Sequence, residues 1–446
     1  MPHPPLSTPP VLAVGRPTRR RLFGQAPWRW RLDDAALALA AAVTAVAALP
    51  TPAAADPNPY SLGASLTVLH DSNLLRLGDN QALPAGYTRS DTVTSAALVG
   101  SIDQPIGRQR LHGSATLSDN RMAHNRIYNN QGYGLNAGLD WETIERLSGT
   151  LTYERTRSLA SFASFDQGVI AQRNVQTTQR AGFVARHGLP DRLQFEIGVD
   201  HQSVDYSAAA YDRFDLSQSS VRLGVRYRPG AALGFGASVR RLDGHYPRAF
   251  LQPGGTYQSD DYRRNSLDLT ADWQPSGASH LYARLSPMRV RYDVAASRDY
   301  SGLTGALTWD WYPGARLKLT TDLVREPAQD SLLFAAGGSL GSVDYSRVTT
   351  GVRLKARYEL SAKVQVQAGV AYNRRQLDNT LVLGAVNAAT VSASDSGTAF
   401  DLGATWQPTR AVSLGCTWRE ERRGGSALSL AMRYNTVNCN AQLLMN

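Results

Sequence analysis

The chain alternates apolar and polar residues over most of its length, and the stretch Gly302–Val324 shows the repeating unit. Leucines and tryptophans occupy every second position on both sides of the pair Pro313-Gly314. A period of two with one apolar face predicts a β-strand. Pro-Gly supplies the fixed φ and the permissive φ of a type II turn. The stretch is therefore predicted to form a β-hairpin.

Comparable hairpins recur from Tyr60 onward and predict about eighteen strands, with sixteen as the lower bound. Short turns alternate with longer connections along the chain. An even strand number with short turns at one end is typical of outer-membrane β-barrels. We predict an all-β fold, a transmembrane antiparallel up-and-down β-barrel with short periplasmic turns and long extracellular loops. The predicted loops cover residues 72–91, 121–132, 157–178, 203–219, 243–263, 293–299, 326–344, 374–397 and 420–432.

Aromatic residues precede a proline by one or two positions at four of the short turns. In a barrel, rings at this height form a girdle at the periplasmic membrane interface. Ordinary aromatic cross-strand pairs are the alternative interpretation. The aromatic residues are Tyr227, Trp273, Trp311, Tyr312 and Trp406.

Pro287 interrupts the alternation of its strand. The apolar positions before and after it are out of phase, because Val290 and Tyr292 follow Leu285 at odd spacing. Prolines and phase changes within strands both mark bulges, so we predict a β-bulge at Pro287.

The first 55 residues have a different pattern from the rest of the chain. Six arginines precede an apolar run at Ala35–Leu49, and Ala53-Ala54-Ala55 offers a small-residue cleavage site. This pattern predicts a signal peptide over residues 1–55 and a barrel domain over residues 56–446. We expect cleavage near Ala55 and delivery to the outer membrane of a Gram-negative cell. No later apolar run approaches the roughly 20 residues of a spanning helix, which argues against a helical membrane protein.

The basic residues are almost all arginines. Of the 47 basic residues, only Lys318, Lys355 and Lys363 are lysines. Arginine suits the recognition of carboxylate and phosphate groups, although a GC-rich genome would produce the same bias. Removal of residues 1–55 lowers the net charge from +10 to +6. No nucleic-acid-binding motif accompanies this charge, so we expect no nucleic-acid partner.

The polar face of the strands would line the lumen if the apolar face contacts lipid. Two interpretations of its arginines remain open. They pair with lumen carboxylates and fill the wall, or they form a positive path for an anionic polymer. The candidate path residues are Arg222, Arg226, Arg240, Arg284, Arg353 and Arg357.

The sequence offers little enzymatic chemistry. Ser339 lies in a G-x-S-x-G match at 337–341, but no helical pattern follows it, as a nucleophile elbow requires. The histidines are scattered without metal-ligand spacing, so we predict no catalytic residues, no metal and no cofactor. Cys416 and Cys439 fall on the outward face of the last two strands. They form a cross-strand disulfide in the oxidising envelope, or they are two small lipid-facing residues.

The stretch Gly63–Leu77 contains the run Asp71-Ser72-Asn73-Leu74-Leu75-Arg76. Together with Leu147–Ser164, it resembles the EpsL-like outer-membrane β-barrel family of exosortase-linked exopolysaccharide gene clusters, within the β-barrel porin 2 group. The resemblance implies a role in exporting or assembling extracellular polysaccharide. The partners it implies are polysaccharide, outer-membrane lipid and periplasmic polysaccharide-export proteins.

Three functions follow as hypotheses. The first is an outer-membrane barrel that passes exopolysaccharide through an arginine-rich lumen. The second is a general or solute-specific uptake porin. The third is a plugged barrel with a structural or enzymatic role.

Overall fold

The computed structural model describes residues 58–162, 172–252, 255–336, 339–383 and 386–445. The predicted signal peptide, residues 1–55, lies outside this part of the chain. Within it, no helix is long and apolar enough to cross a membrane. The strands are β1 Tyr60–Asp71, β2 Asp91–Ile106, β3 Gln109–Met122, β4 Asn130–Glu142, β5 Leu147–Leu159, β6 Val175–Gly188, β7 Leu193–Tyr206, β8 Leu216–Gly230, β9 Leu233–Leu251, β10 Tyr257–Ser276, β11 Ser279–Tyr292, β12 Tyr300–Gly314, β13 Leu317–Ala336, β14 Ser339–Ser361, β15 Val364–Leu383, β16 Val386–Trp406, β17 Val412–Arg423 and β18 Met432–Met445.

The eighteen strands form one closed antiparallel sheet. Each strand pairs with its neighbours in sequence, and β1 pairs with β18 from Leu62↔Met445 to Asp71↔Thr436. In the part of the barrel that spans the membrane, closure leaves no sheet edge with unpaired backbone groups. The predicted eighteen-stranded β-barrel is confirmed.

Alternate side chains face opposite sides of the wall, as the sequence pattern predicts. On β7, Ile197 is 46% exposed on the outside, whereas the adjacent Glu196 is 7% exposed on the inside. The outward apolar side chains form a continuous band around the barrel, which is the surface that lipid covers in such folds. Members of this band include Leu98, Leu117, Leu151, Leu223, Val239, Leu269, Leu285, Leu354 and Leu402.

Above the band, on the side of the long loops, the polarity of the two faces is inverted. On β11, Arg289 and Arg291 face outward, while Val290 is completely buried on the inside. This inversion accounts for the apolar phase change after Pro287. The chain leaves the lipid band at this height, so its outer face meets water or headgroups and its apolar residues turn inward.

The predicted β-bulge at Pro287 is wrong. The pairing of β11 with β12 continues through Pro287↔Leu303 without a shift. On the other side, Ser266↔Met288 and Leu269↔Leu285 keep the same register with β10. Proline has no N–H to donate. The pairing of β10 with β11 therefore lacks the pairs next to Pro287, but neither strand contains an extra residue.

A row of exposed outward arginines lies just above the apolar band, and we name it the outer arginine row. Headgroups lie at this height of a membrane barrel, where a charge costs far less than at the midplane. The row consists of Arg121, Arg155, Arg157, Arg241, Arg263, Arg289, Arg291, Arg325, Arg374, Arg422 and Arg433.

Three of the nine predicted loops, 243–263, 326–344 and 374–397, are wrong. There the strands continue outward and form extended hairpins, and β13 and β14 pair without interruption to Ala336↔Ser339. β14 has 23 residues, roughly twice the 9–11 that one crossing requires. Backbone pairing above the membrane satisfies N–H and C=O groups regardless of side-chain polarity. These strands therefore need no continuous apolar face, and the sequence pattern does not identify them.

The predicted type II turn at Pro313-Gly314 is also wrong. β12 continues to Gly314, the register shifts between Trp311 and Gly314, and the turn residues are Ala315-Arg316. The turns after β8 and β10 show the same shift near a proline. A bulge is the position in a ladder where proline's missing N–H costs least.

The outward rings beside the short turns lie at one end of the barrel, as a girdle requires. Trp273, Trp311 and Trp406 are exposed on the outside there. Tyr312 differs, because its ring lies beside Lys318, with 5.3 Å between the ammonium nitrogen and the ring centroid.

Candidate functional site: the charged lumen

The six candidate path arginines lie on the inward-facing positions of their strands, but they do not form one group. Arg222, Arg226, Arg240 and Arg284 lie on the adjacent strands β8, β9 and β11. Arg353 and Arg357 lie on β14. The two groups differ in how their charges are compensated.

The first group is centred on Glu196 of β7, whose side chain is almost completely buried. Arg222 Nη2 lies 2.6 Å from Glu196 Oε1, and Arg226 Nη2 lies 3.4 Å from Oε2. Arg186 of β6 also bonds Oε2, with its Nε at 2.9 Å. A buried carboxylate requires such partners. Three guanidinium groups around one carboxylate leave a net positive charge on this part of the wall.

Sequence reasoning did not include Arg186 in the path. It is on the inward set of β6 and directly opposite Glu196 in the register of β6 with β7. The alternation of β6 was a sufficient signal for its inward direction. Its pairing with Glu196 required the register between the two strands.

Arg284 belongs to a second compensated cluster. Its Nη1 donates to Ser286 Oγ at 2.9 Å, and the Ser286 hydroxyl donates to Asp268 Oδ1 at 2.5 Å. Its Nη2 forms an ion pair with Glu326. These contacts fill the wall, as the first of the two interpretations predicted.

Arg240 is less well compensated. It lies directly opposite Arg222 in the register of β8 with β9. Its Nε is buried without a hydrogen-bond partner, and it forms no ion pair with the described residues. Two adjacent arginines without an intervening carboxylate raise the local positive potential.

Three successive inward cations of β14 lack an ion-pair partner among the described residues. Arg353, Lys355 and Arg357 form no ion pair or hydrogen bond with the residues that the structure describes, and Arg353 and Arg357 are exposed to the lumen. Asp322 of β13 is opposite Arg353 in register, but it forms no ion pair with Arg353 and instead accepts from Thr308 Oγ1 at 2.7 Å. Asp310 of β12 is paired with Lys318, whose Nζ lies 2.9 Å from Asp310 Oδ2. The β14 row therefore presents free cationic groups to lumen water.

The opposite part of the wall is neutral. The register of β1 with β18 places Ser65 opposite Gln442 and Thr67 opposite Asn440. The inward residues Ser61, Ser65 and Thr67 of β1 and Asn438, Asn440 and Gln442 of β18 are all uncharged, and the first inward charge on β1 is Asp71 at its extracellular end. The lumen therefore has a cationic side on β8–β14 and an amide and hydroxyl side on β18 and β1.

Two apolar clusters narrow the extracellular end of the lumen. The first consists of inward side chains on β7–β11, among them Leu242, Tyr262 and Val290. The short 3-10 helix Ala296–Arg298, between β11 and β12, contacts β14 as well as β11. That loop therefore crosses the inner side of the mouth instead of extending away from it.

The second cluster contains the motif segment between β1 and β2. Leu74, Leu75 and Leu77 are buried against Met122 and Tyr128. The ring of Tyr128 packs edge-on against Phe162, with 5.0 Å between centroids. Burial raises the pKa of Tyr128 well above its usual range, so its phenol stays neutral. Three loops thus meet inside the mouth.

The motif residues form a compact network at the end of β1. Arg76 Nη2 lies 2.7 Å from the buried Asp71 Oδ2, and its guanidinium carbon is 3.7 Å from the ring centroid of Tyr434 on β18. The Asn73 side-chain amide donates to Leu77 O at 2.8 Å and its oxygen accepts from Leu77 N at 3.0 Å. In this structure the motif closes a loop against the barrel wall.

The remaining candidates give no catalytic arrangement. Ser339 begins β14 opposite Ala336 of β13, so its backbone belongs to a hairpin and not to a strand-to-helix turn. Residues 337 and 338 of the same match lie outside the described residues. Among residues that are described, no three His, Cys, Asp or Glu side chains converge as metal ligands would.

Cys416 and Cys439 are directly opposite each other on β17 and β18. Their sulfur atoms are bonded, and their Cα atoms are 4.1 Å apart. Both side chains belong to the outward set. The register of β17 with β18 thus brings together the two cysteines, which the sequence allowed to be either a cross-strand disulfide or two small lipid-facing residues.

No protein-family model and no curated protein matches the chain. Among solved structures, the chain is similar to the outer membrane protein OpdK of Pseudomonas aeruginosa, at 13% identity and a TM-score of 0.47, over 86% of this chain and 99% of that chain. OccK9 (OpdG) of the same organism has 14% identity and a TM-score of 0.45, over 86% and 98%. The FrpB iron transporter of Neisseria meningitidis has 8% identity and a TM-score of 0.44, over 86% and 81%.

Proposed function

We propose that this protein is an outer-membrane channel for anionic solutes and that its cargo is an extracellular polysaccharide leaving the cell. The observation that carries the anionic preference is the uncompensated row Arg353, Lys355 and Arg357 on β14. Cationic groups in a low-dielectric wall concentrate anions in the lumen. The polysaccharide itself, and periplasmic export proteins as partners, come from the resemblance of Gly63–Leu77.

The two sides of the lumen suit a charged saccharide in different ways. The free cationic groups on β14 would bind the carboxylates of successive sugar residues in turn as the polymer moves along the lumen. The amides and hydroxyls of β18 and β1, such as Asn440 and Thr67, would hydrogen-bond sugar hydroxyls on the opposite side. Several weak sites in series allow passage, because each binding event is easily reversed.

Ion selectivity tests the channel. The purified protein is inserted into planar bilayers under a KCl gradient, and the reversal potential is measured. We expect anion selectivity for the wild type and loss of most of it when Arg353, Lys355 and Arg357 are all replaced by glutamine. A matched control removes three outward charges instead, as Arg121→Gln, Arg422→Gln and Arg433→Gln. A cation-selective wild type, or an equal shift in the control, would contradict the proposal.

Polymer export is tested separately in the producing cell. Deletion of the gene should abolish secreted polysaccharide and leave polymer in the periplasm. Complementation with the triple β14 variant should restore little secretion if the polymer is anionic. Normal secretion in the deletion strain would refute export while leaving the ion selectivity intact.

The narrowed mouth favours a second candidate function, the uptake of small anionic solutes. The clusters around Tyr128 and Tyr262 leave less room for a broad polymer than for a small sugar acid. Liposome swelling distinguishes the two functions. Rapid entry of small sugar acids, combined with normal polymer secretion in the deletion strain, would favour uptake.

A further inference from the structure

The outer arginine row contains a site on β13–β15 that the lumen function does not use. Thr350 of β14 is paired with Arg325 of β13 on one side and with Arg374 of β15 on the other. All three residues are exposed on the outer surface. Adjacent strands are about 4.8 Å apart, so the two arginines start roughly 10 Å apart on either side of a hydroxyl.

The positive charge of this site is not compensated. Arg325 donates only to Leu303 O at 3.3 Å and to Thr350 Oγ1 at 2.9 Å. Arg374 forms no ion pair or hydrogen bond with the described residues. The outer partners of the two arginines in register are Gly305 and Ser396, which carry no charge.

Six other members of the outer arginine row are compensated by carboxylates: Arg121, Arg241, Arg263, Arg291, Arg422 and Arg433. Arg121 Nε lies 2.7 Å from Asp119, and Arg241 Nε lies 3.0 Å from Asp243. Their charges are therefore satisfied within the wall. Arg155, Arg157 and Arg289 also form no ion pair with the described residues, but the β13–β15 site differs from them in placing two such arginines on either side of a hydroxyl.

The surface immediately below the site is apolar. Two residues toward the periplasm on each strand, Leu323, Val352 and Tyr372 face outward in the same register and are exposed. An acyl chain would lie along these three side chains. Its headgroup would then be at the height of Arg325 and Arg374.

We propose that Arg325, Thr350 and Arg374 bind the phosphate of a phosphorylated glycolipid in the outer leaflet of the membrane. The planar guanidinium fork matches phosphate oxygens, and the threonine hydroxyl lies between the two forks. Cationic side chains beside an apolar surface are the combination that anionic lipid headgroups select. The ligand is thus a lipid with phosphate on its sugar, held from outside the barrel.

Native mass spectrometry of the full-length processed protein in detergent tests this site. The probes are bisphosphorylated lipid A, the same lipid after phosphatase treatment, and inorganic phosphate. We expect bisphosphorylated lipid A to remain bound, with at least about tenfold weaker retention of the dephosphorylated lipid. Millimolar inorganic phosphate should not displace the lipid. Displacement by inorganic phosphate, or equal retention of both lipids, would overturn the proposal.

Two variants with equal charge loss give the residue-level test. The double variant Arg325→Gln/Arg374→Gln should lower retention of bisphosphorylated lipid A about tenfold. The control Arg121→Gln/Arg241→Gln removes two compensated arginines of the same row and should stay within about twofold of the wild type. Heat-dependent mobility on gels verifies that each barrel is folded. Equal losses in both variants would overturn the proposal, and Arg325→Lys/Arg374→Lys would give partial retention if the fork matters.

Discussion

At the scale of single residues, the network at the end of β1 shows that the motif residues Asp71, Asn73 and Arg76 hold the β1–β2 loop in place. Asp71 and Arg76 are both largely buried and form an ion pair that also stacks on Tyr434. A buried charge that loses its partner is strongly destabilising. These residues hold the loop that narrows the mouth, and none of their contacts extends to the β14 row.

Replacement of Arg76 by alanine should lower the free energy of unfolding by about 3 kcal/mol, because the buried Asp71 carboxylate loses its ion pair. Urea unfolding in phospholipid vesicles, followed by tryptophan fluorescence, measures the change. The control is Arg110→Ala, whose ion pair with Asp103 is exposed on both sides. Equal unfolding midpoints for the two variants would contradict a structural role for the Asp71 pair.

Thiol counting checks the disulfide between Cys416 and Cys439. Protein purified without reductant and unfolded in denaturant should contain no thiol that reacts with maleimide. After reduction, two thiols should react. Two reactive thiols before reduction would identify the cysteines as two small outward residues.

At the scale of elements, strand alternation assigns one face to lipid and the other to the lumen. The extended hairpins of β13–β16 show that alternation continues above the membrane, where its polarity no longer follows the lipid. The apolar band and the outer arginine row together locate this transition. β9 contains both, since Val239 is the last outward apolar residue before Arg241.

A pair of adjacent substitutions on β9 tests the face assignment. Val239→Arg places a charge in the apolar band and should lower the free energy of unfolding by about 2–4 kcal/mol. Ser238→Arg places the same side chain in the lumen, opposite Asp268, and should cost much less. Urea titration in vesicles compares the two variants. A larger loss for Ser238→Arg would mean that the faces are reversed.

At the scale of the whole molecule, a barrel of eighteen strands has room for water in its lumen, and the loops of this barrel pack into one end of it. Tyr128 is completely buried where three of these loops meet. The cationic and neutral sides of the wall face each other below this constriction. Transport through the barrel thus depends on both the mouth and the charge of the wall.

Tyr128→Ala should loosen the packing of the β1–β2 and β5–β6 loops and raise single-channel conductance. Larger saccharides should also enter liposomes faster, because the cluster loses its central ring. The control is Tyr257→Ala, an exposed ring at the same end of the barrel. Unchanged conductance in Tyr128→Ala would show that these loops do not limit passage.

The sequence by itself determined the strand number, the alternation of the faces and which connections are short, although the turn predicted at Pro313-Gly314 lies at Ala315-Arg316. These features are local, because a period of two and a turn residue are visible within about ten positions. The same locality produced the errors at the extended hairpins and at Pro287. A strand above the membrane lacks the continuous apolar face that identifies a lipid-facing strand, and a proline within a strand occurs both in bulges and in regular pairing.

Only the tertiary structure decided which charges are compensated. Arg222 and Arg353 have the same residue type and the same inward direction, yet one contacts Glu196 and the other contacts no carboxylate. The difference depends on the register and side-chain direction of neighbouring strands. Arg222 is diagonal to Glu196 across β7 and β8, whereas Asp322, opposite Arg353 on β13, bonds Thr308 instead. The pairing of Cys416 with Cys439 and the free arginines beside Thr350 have the same origin, because register joins residues that no local pattern connects.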